Sequence, residues 1–310
     1  MTYFKNQVLN EEIEQQQQQQ QQQQEQQTQT HQIFLKDYEI NEKDLQIVSS
    51  LVIQLTKNNS EQALIQLNEL KEEIDLIAPV VWYATGCVAL LLREITTAYP
   101  LLSPPNLSQK RSEKVCHALG LFQLIASHKE THPLFLRSNI PLYLYPFLSS
   151  SSKSLPFTQL RINSLGVIAS FVKTEEDSVV NFLLTTEIIP LCLHIMEICT
   201  EQEKIIATFI ILKIILNENG LTYICDIYQR FLAVSSVIGN MVNYLLEEPS
   251  VKLLENIIRC YSRLADNSRA REALKQTLPQ PLKDGTFNEQ IRNHQNIQES
   301  LNSLLSELDL

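Results

Sequence analysis

The chain has 310 residues, 44% of them hydrophobic and 19% charged, which is enough apolar surface for a sizeable core. Its 25 Lys and Arg against 35 Asp and Glu leave a net charge of −10, which excludes a uniformly basic nucleic-acid-binding surface but not a local basic patch. No two of the six glycines lie within three residues of each other, so a phosphate-cradling loop and a dinucleotide fingerprint are excluded as well.

The first residues, MTYFKNQVLNEEIE, lack the apolar segment of a secretory signal. An unbroken glutamine run follows at 15–24 and continues as EQQTQTHQ. It has no apolar face to bury, so a disordered tail over 1–36 is expected, with order beginning between Phe34 and Ile40. From there the pattern is helical. Ile47, Leu51, Ile53 and Leu55 open it, and Leu64, Leu67, Leu70 and Ile74 continue at spacings of three and four. SPPNLS at 103–108 and EEPS at 247–250 punctuate between helices. Residues 161–173 set Ile162, Leu165, Ile168, Ala169 and Val172 on one stripe. No alternating run with a hairpin turn appears. Apolar stretches such as 205–216 are shorter than the roughly 18 residues that span a bilayer, so no membrane association is expected. The end of the chain, 289–310, reads as one amphipathic helix carrying Ile297, Leu301, Leu304, Leu305 and Leu308. It serves either as a cap on the preceding helices or as a partner-binding tail.

An internal repeat organises the middle. HALGLFQLIASH at 117–128 aligns with NSLGVIASFVKT 46 residues later, and ATFIILKIILNE at 207–218 is a weaker third copy. FLRSNIPLYLYPFL at 135–148 resembles FLLTTEIIPLCLHIM at 182–196. An all-helical period of about 40–47 residues is the armadillo or HEAT signature, because one helical hairpin cannot bury its apolar stripe without stacked neighbours. The expected fold is an all-α, right-handed armadillo-type solenoid of about six repeats. Its repeat domain spans 37–287 and its C-terminal helix 288–310. Gly120 and Gly166 hold equivalent places in the repeated helix, which predicts a close helix crossing at Gly166.

Chemistry-bearing clusters are sparse. Cys87, Cys116, Cys192, Cys199, Cys225 and Cys260 form no C-x-x-C and read as buried reduced thiols. His194 stands two residues from Cys192, on another face of any helix, which argues against a metal site. Cys116 and His117 are adjacent and diverge by about 100° on a helix, so they make no nucleophile–base pair. His128, Glu130 and His132 fall in SHKETHP, read as a solvated turn that Pro133 separates from the helix before it. Glu175, Glu176 and Asp177 fit the start of a helix. No cofactor and no enzymatic activity are expected. Lys110, Arg111 and Lys114 lie together, as do Arg259 and Arg263 at i,i+4. A basic groove there could contact single-stranded nucleic acid, though no aromatic residues interleave to stack on bases.

Four segments carry a family resemblance. They are WYATGCVALLLREITTAYPLLSPPNLS, VCHALGLFQLIASHKETHPLFLRSNIPLYLYPFL, RINSLGVIASFVKTEEDSVVNFLLTTEIIPLCLHIME and RCYSRLADNSRAREAL. They resemble the "required for cell differentiation" family, the armadillo-repeat subunit of the CCR–NOT deadenylase complex, also called the forty-kilodalton CCR-associated factor. The resemblance covers about residues 77–287. It implies a non-catalytic adaptor that sits on the NOT scaffold and receives peptide motifs of mRNA-silencing factors, in the cytoplasm (P-bodies included) and the nucleus. A direct nucleic-acid-binding protein or transcriptional cofactor is the alternative, and a homodimer stays open. The residues matching the family's shallow tryptophan pockets are Tyr228, Arg230, Arg269 and Ala273. A guanidinium plane stacks on an indole, and a small residue leaves room for the ring. The stretch matching the family's scaffold contact is Trp82-Tyr83-Ala84-Thr85-Gly86-Cys87, where the family pattern is Trp-His-Ser-Phe-Gly-Thr. Tyr83 and Thr85 thus replace His and Phe, while Trp82, Gly86 and the small Ala89 persist.

Overall fold

The computed structural model describes residues 41–58 and 60–310, so the glutamine run and the expected start of order between Phe34 and Ile40 lie outside the described residues. Among the described residues there are sixteen α-helices, three short 3-10 turns and no strand. They group into six units. The first holds α1 (Glu42–Asn58) and α2 (Glu61–Glu69), and the second α3 (Ile77–Tyr83), α4 (Cys87–Thr96) and α5 (Gln109–Ser127). The third holds α6 (His132–Arg137), a 3-10 turn (Ile140–Leu144) running into α7 (Tyr145–Leu148), and α8 (Leu155–Val172). The fourth holds α9 (Asp177–Leu184), α10 (Ile188–Ile198) and α11 (Glu201–Leu216), and the fifth α12 (Glu218–Cys225), α13 (Tyr228–Glu247) and α14 (Val251–Ala265). The last holds α15 (Ser268–Thr277), a 3-10 turn (Gln280–Leu282) and α16 (Gln295–Glu307).

The repeat seen in the sequence is a repeat of helices. α5, α8 and α11 begin 46 residues apart. The closing helices of successive units stack in order, α2 on α5, then α8, α11, α14 and α16. A second ladder runs from α7 through α10 to α13. Local chemistry sets the breaks. The Ser108 side chain accepts the Arg111 N–H at the start of α5, and Thr200 with Glu203 forms a full capping box at the start of α11. α11 then turns through 100° into α12, whose first turn Asn217 caps. Among the described residues no single helix is long and apolar enough to cross a membrane.

Helices inside the stack bury more than one face. α8, held between α5 and α11, buries Phe157, Leu160, Leu165, Val167, Ile168, Phe171 and Val172. α1, at the end of the stack, buries only Val48, Leu51, Val52 and Leu55. That face runs at i, i+3, i+4 and i+7. It corrects the sequence stripe, because Ile47 and Ile53 are 46% and 51% exposed. α16 covers α14 with Ile297, Leu301 and Leu304, each worth roughly 2 kcal/mol of burial. The helix is shorter than the sequence pattern over 289–310 suggested.

Gly166 is a second correction. A Cβ there would meet Gln123 at 3.4 Å, an ordinary contact, so no tight crossing exists at that position. The close approach is at Gly120, where a Cβ would run into the Asn68 side chain, which donates to the His117 carbonyl.

One polar lock joins two units inside the stack. Arg161 and Glu203 are 1% and 0% exposed, and Arg161 Nε lies 2.5 Å from Glu203 Oε1. Arg161 Nη1 also donates to the carbonyls of Ser150 and Ser152, at 3.0 and 2.7 Å. Glu203 Oε2 accepts from the Thr200 N–H and hydroxyl, at 2.9 and 2.6 Å. Both charges are therefore hydrogen-bonded as well as paired, which burial demands.

Candidate functional site

The corner between α12 and α13 carries an exposed apolar and cationic surface. Ile227, Tyr228 and Leu232 are 42%, 62% and 45% exposed within two turns of chain. The Tyr228 ring leans on buried Phe231, with centroids 6.4 Å apart. The Arg230 guanidinium carbon sits 3.8 Å over the Tyr223 ring, and its Nη1 donates to the Tyr223 carbonyl at 3.1 Å. Arg230 makes no ion pair among the described residues, whereas Arg111, Arg161, Arg263 and Arg271 each meet a carboxylate. Sequence reasoning named Tyr228 and Arg230 but not Tyr223. Tyr223 lies seven residues before Arg230 across a helix break, so no helical spacing links the two.

Arg269 and Ala273 stand one turn apart on α15. The Asn267 side chain accepts the N–H groups of Arg269 and Ala270, both at 3.1 Å, and so fixes where that helix begins. Arg269 is exposed and Ala273 half-buried. Arg271 is no free surface charge, since it donates to the Ala265 carbonyl and to Glu307, at 2.8 and 2.7 Å. α13 and α15 both pack on α14, but no hydrogen bond or ring contact joins Tyr228 or Arg230 to Arg269 or Ala273.

The second surface is the corner where α3 turns through 90° into α4. Gly86 makes the turn at φ +80, a conformation that disfavours any side chain. Trp82 and Tyr83 end α3 half-buried against the core, while Thr85 and Ala89 are exposed. Burial, with Glu130 close by, pushes the Tyr83 phenol up to about 12.

The basic clusters are largely neutralised. Arg111 and Lys114 converge on Glu94, at 2.9 and 3.2 Å. Burial would raise that carboxyl, but Lys114 and Arg111 outweigh it and hold it below its ordinary value. Arg259 is exposed, whereas Arg263 is occupied by Glu218 at 2.6 Å, Asp266 at 2.7 Å and the Ile215 carbonyl at 3.0 Å. The pair therefore does not offer two free cations to a phosphate backbone.

The SHKETHP turn is solvated only in part: Ser127, Lys129 and Pro133 are exposed, but both histidines are buried, contrary to the sequence expectation. α5 ends at Ser127, and Pro133 opens α6 instead of closing a helix. The histidine side chains are packed inward, with His128 6% and His132 2% exposed. His132 Nδ1 donates to the Ala126 carbonyl at 2.6 Å, and its ring lies 5.1 Å from Phe171. The Glu175–Asp177 cluster does begin a helix, α9, where Asp177 accepts from Asn217 at 2.6 Å. Among the described residues no group of three or more His, Cys, Asp or Glu could hold a metal ion. A cleft lined by Leu55, Leu64, Leu91 and Glu94 holds about 10 Å³, room for one water.

The family model described as "Cell differentiation family, Rcd1-like" matches residues 51–308. Cell differentiation protein rcd1 of Schizosaccharomyces pombe is 48% identical over 263 residues, 84% of this chain and 93% of that protein. Protein CAF40 of Saccharomyces cerevisiae is 45% identical over 260 residues, 83% of this chain and 70% of that protein. Among solved structures, a designed armadillo repeat protein in complex with the peptide (KR)4 aligns with a TM-score of 0.57 at 14% identity, covering 85% of this chain and 98% of that one. A computationally designed armadillo repeat protein made for modular peptide recognition gives 0.60 at 15% identity, covering 84% and 98%. At such identities the structures speak for the armadillo fold alone. The sequence matches run through nearly every described helix, and on them the chain belongs to the Rcd1-like cell differentiation family.

Proposed function

We propose that the chain is a non-catalytic adaptor subunit of the CCR–NOT deadenylase complex. It docks on the NOT scaffold through the Trp82–Ala89 corner and receives tryptophan-containing segments of mRNA-silencing factors at Tyr228, Arg230, Arg269 and Ala273. The observation that carries this reading is the α12–α13 corner, where three exposed apolar side chains lie within a few residues of an arginine that rests on Tyr223 and has no carboxylate partner. Such a surface suits a flat aromatic side chain, which gains from apolar burial and from a cation on its face. Family membership supports the assembly, and the engagement of Arg263 by two carboxylates weighs against direct nucleic-acid binding.

Tyr228→Asp combined with Arg269→Glu is expected to abolish capture of a two-tryptophan peptide. Asp places a charge where a ring would rest, and Glu reverses the local field. Losing one filled aromatic pocket costs about 2 kcal/mol, or about thirtyfold in affinity. Calorimetric titration of the peptide and its alanine control into both proteins measures this. Equal binding by wild type and variant contradicts the pocket. Loss of scaffold binding as well would mean that the variant is unfolded.

A further inference from the structure

We propose that Tyr223 is a positioning residue of the tryptophan pocket, holding the Arg230 guanidinium as a preset platform on which the incoming ring stacks. This rests on the pocket reading above and names how the site selects its ligand. The Tyr223 ring lies under one face of the guanidinium at 3.8 Å, and the Tyr223 carbonyl takes Nη1 at 3.1 Å. The same residue thus fixes both the plane and the rotation of the cation. The Nε and Nη2 groups have no partner among the described residues, yet neither is sealed from water. The edge that carries Nε and Nη2 therefore remains for a ligand, and Tyr223 occupies one face of the half-buried guanidinium. The side chain of an arginine held this way is ordered before the ligand arrives, so binding loses less entropy than it would with a free arginine. The preferred ligand is a planar aromatic side chain, which completes a ring–guanidinium–ring stack. A carbonyl or carboxylate of the peptide beside that ring would accept from Nη2. An aliphatic side chain of equal area has no π face to offer and binds more weakly.

The test is a double-mutant cycle read by calorimetric titration of a two-tryptophan peptide and its alanine control. The proteins are the full chain as wild type, Tyr223→Phe, Tyr223→Leu, Arg230→Ala and the Tyr223→Leu/Arg230→Ala pair. Phe keeps the ring and should bind within about twofold of wild type, whereas Leu should weaken binding about tenfold with an unchanged melting temperature. In the Arg230→Ala background, Tyr223→Leu should have no further effect, because Tyr223 acts through the arginine. Should the Leu variant fail to fold, Tyr223→Met takes its place in the cycle. Wild-type affinity in Tyr223→Leu, or an equal loss in both backgrounds, overturns the positioning role while the pocket stands. If wild type does not distinguish the tryptophan peptide from its control, the pocket reading fails and Tyr223 positions nothing.

Discussion

Arg161→Met is expected to destabilise the protein by about 3–5 kcal/mol, as removal of one member of a buried ion pair does. The substitution leaves Glu203, 0% exposed, as a buried anion whose remaining support is the two hydrogen bonds from Thr200. It also frees the Ser150 and Ser152 carbonyls, so hydrogen exchange should quicken in the segment that joins α7 to α8. Arg161→Met with Glu203→Leu removes both charges, and much of the loss should return because well-packed apolar side chains replace such pairs at little cost. Urea unfolding of the three proteins checks this. A single variant within 1 kcal/mol of wild type, on the order of measurement error in extrapolated stabilities, would show that the pair does not lock the two units.

Gly220→Ala is the second large effect, at about 3 kcal/mol or more. Gly220 lies in the first turn of α12, directly after the 100° bend. A Cβ there would run into the Ile214 carbonyl oxygen and stand 2.7 Å from its carbon. The obstacle is backbone at the end of α11, which cannot rotate aside as a side chain does. The α12–α13 corner would have to shift, carrying Tyr223, Tyr228 and Arg230 with it, so peptide affinity should fall together with the melting temperature. Gly166→Ala is the matched control. Its Cβ meets a flexible Gln123 at 3.4 Å, and Ala in a helix interior gains up to about 1 kcal/mol over Gly. Thermal melts by circular dichroism separate the two. A tolerant Gly220→Ala protein would contradict the tight bend between α11 and α12.

The sequence and the structure differ in instructive places. Period, helix type and unit count were legible, because a solenoid repeats one packing problem and its apolar residues must recur with it. The lock between Arg161 and Glu203 was not, since its partners stand 42 residues apart in different repeats and each resembles an ordinary helix charge. The same distance blindness hid Arg263, which looked like half of a basic pair until Glu218, 45 residues earlier, was found on it. The His128–His132 turn was misread because its composition is polar. The burial of His132 comes from Phe171 of α8 and from Glu176 just beyond it, 39 and 44 residues further along the chain. Gly166 looked constrained by analogy with Gly120, but the side chain opposite differs, Gln123 in one case and Asn68 in the other. At the candidate pocket, the family motif supplied Tyr228 and Arg230, and only three-dimensional stacking supplied Tyr223.

Affinity purification of the tagged full chain from its native cells, under gentle lysis, tests the adaptor account most directly. The account predicts recovery of a large NOT scaffold together with a deadenylase, and loss of both when Thr85→Asp and Ala89→Asp, at two exposed positions, place charges on the α3–α4 corner without changing the melting temperature. Recovery of neither from wild type would contradict the account.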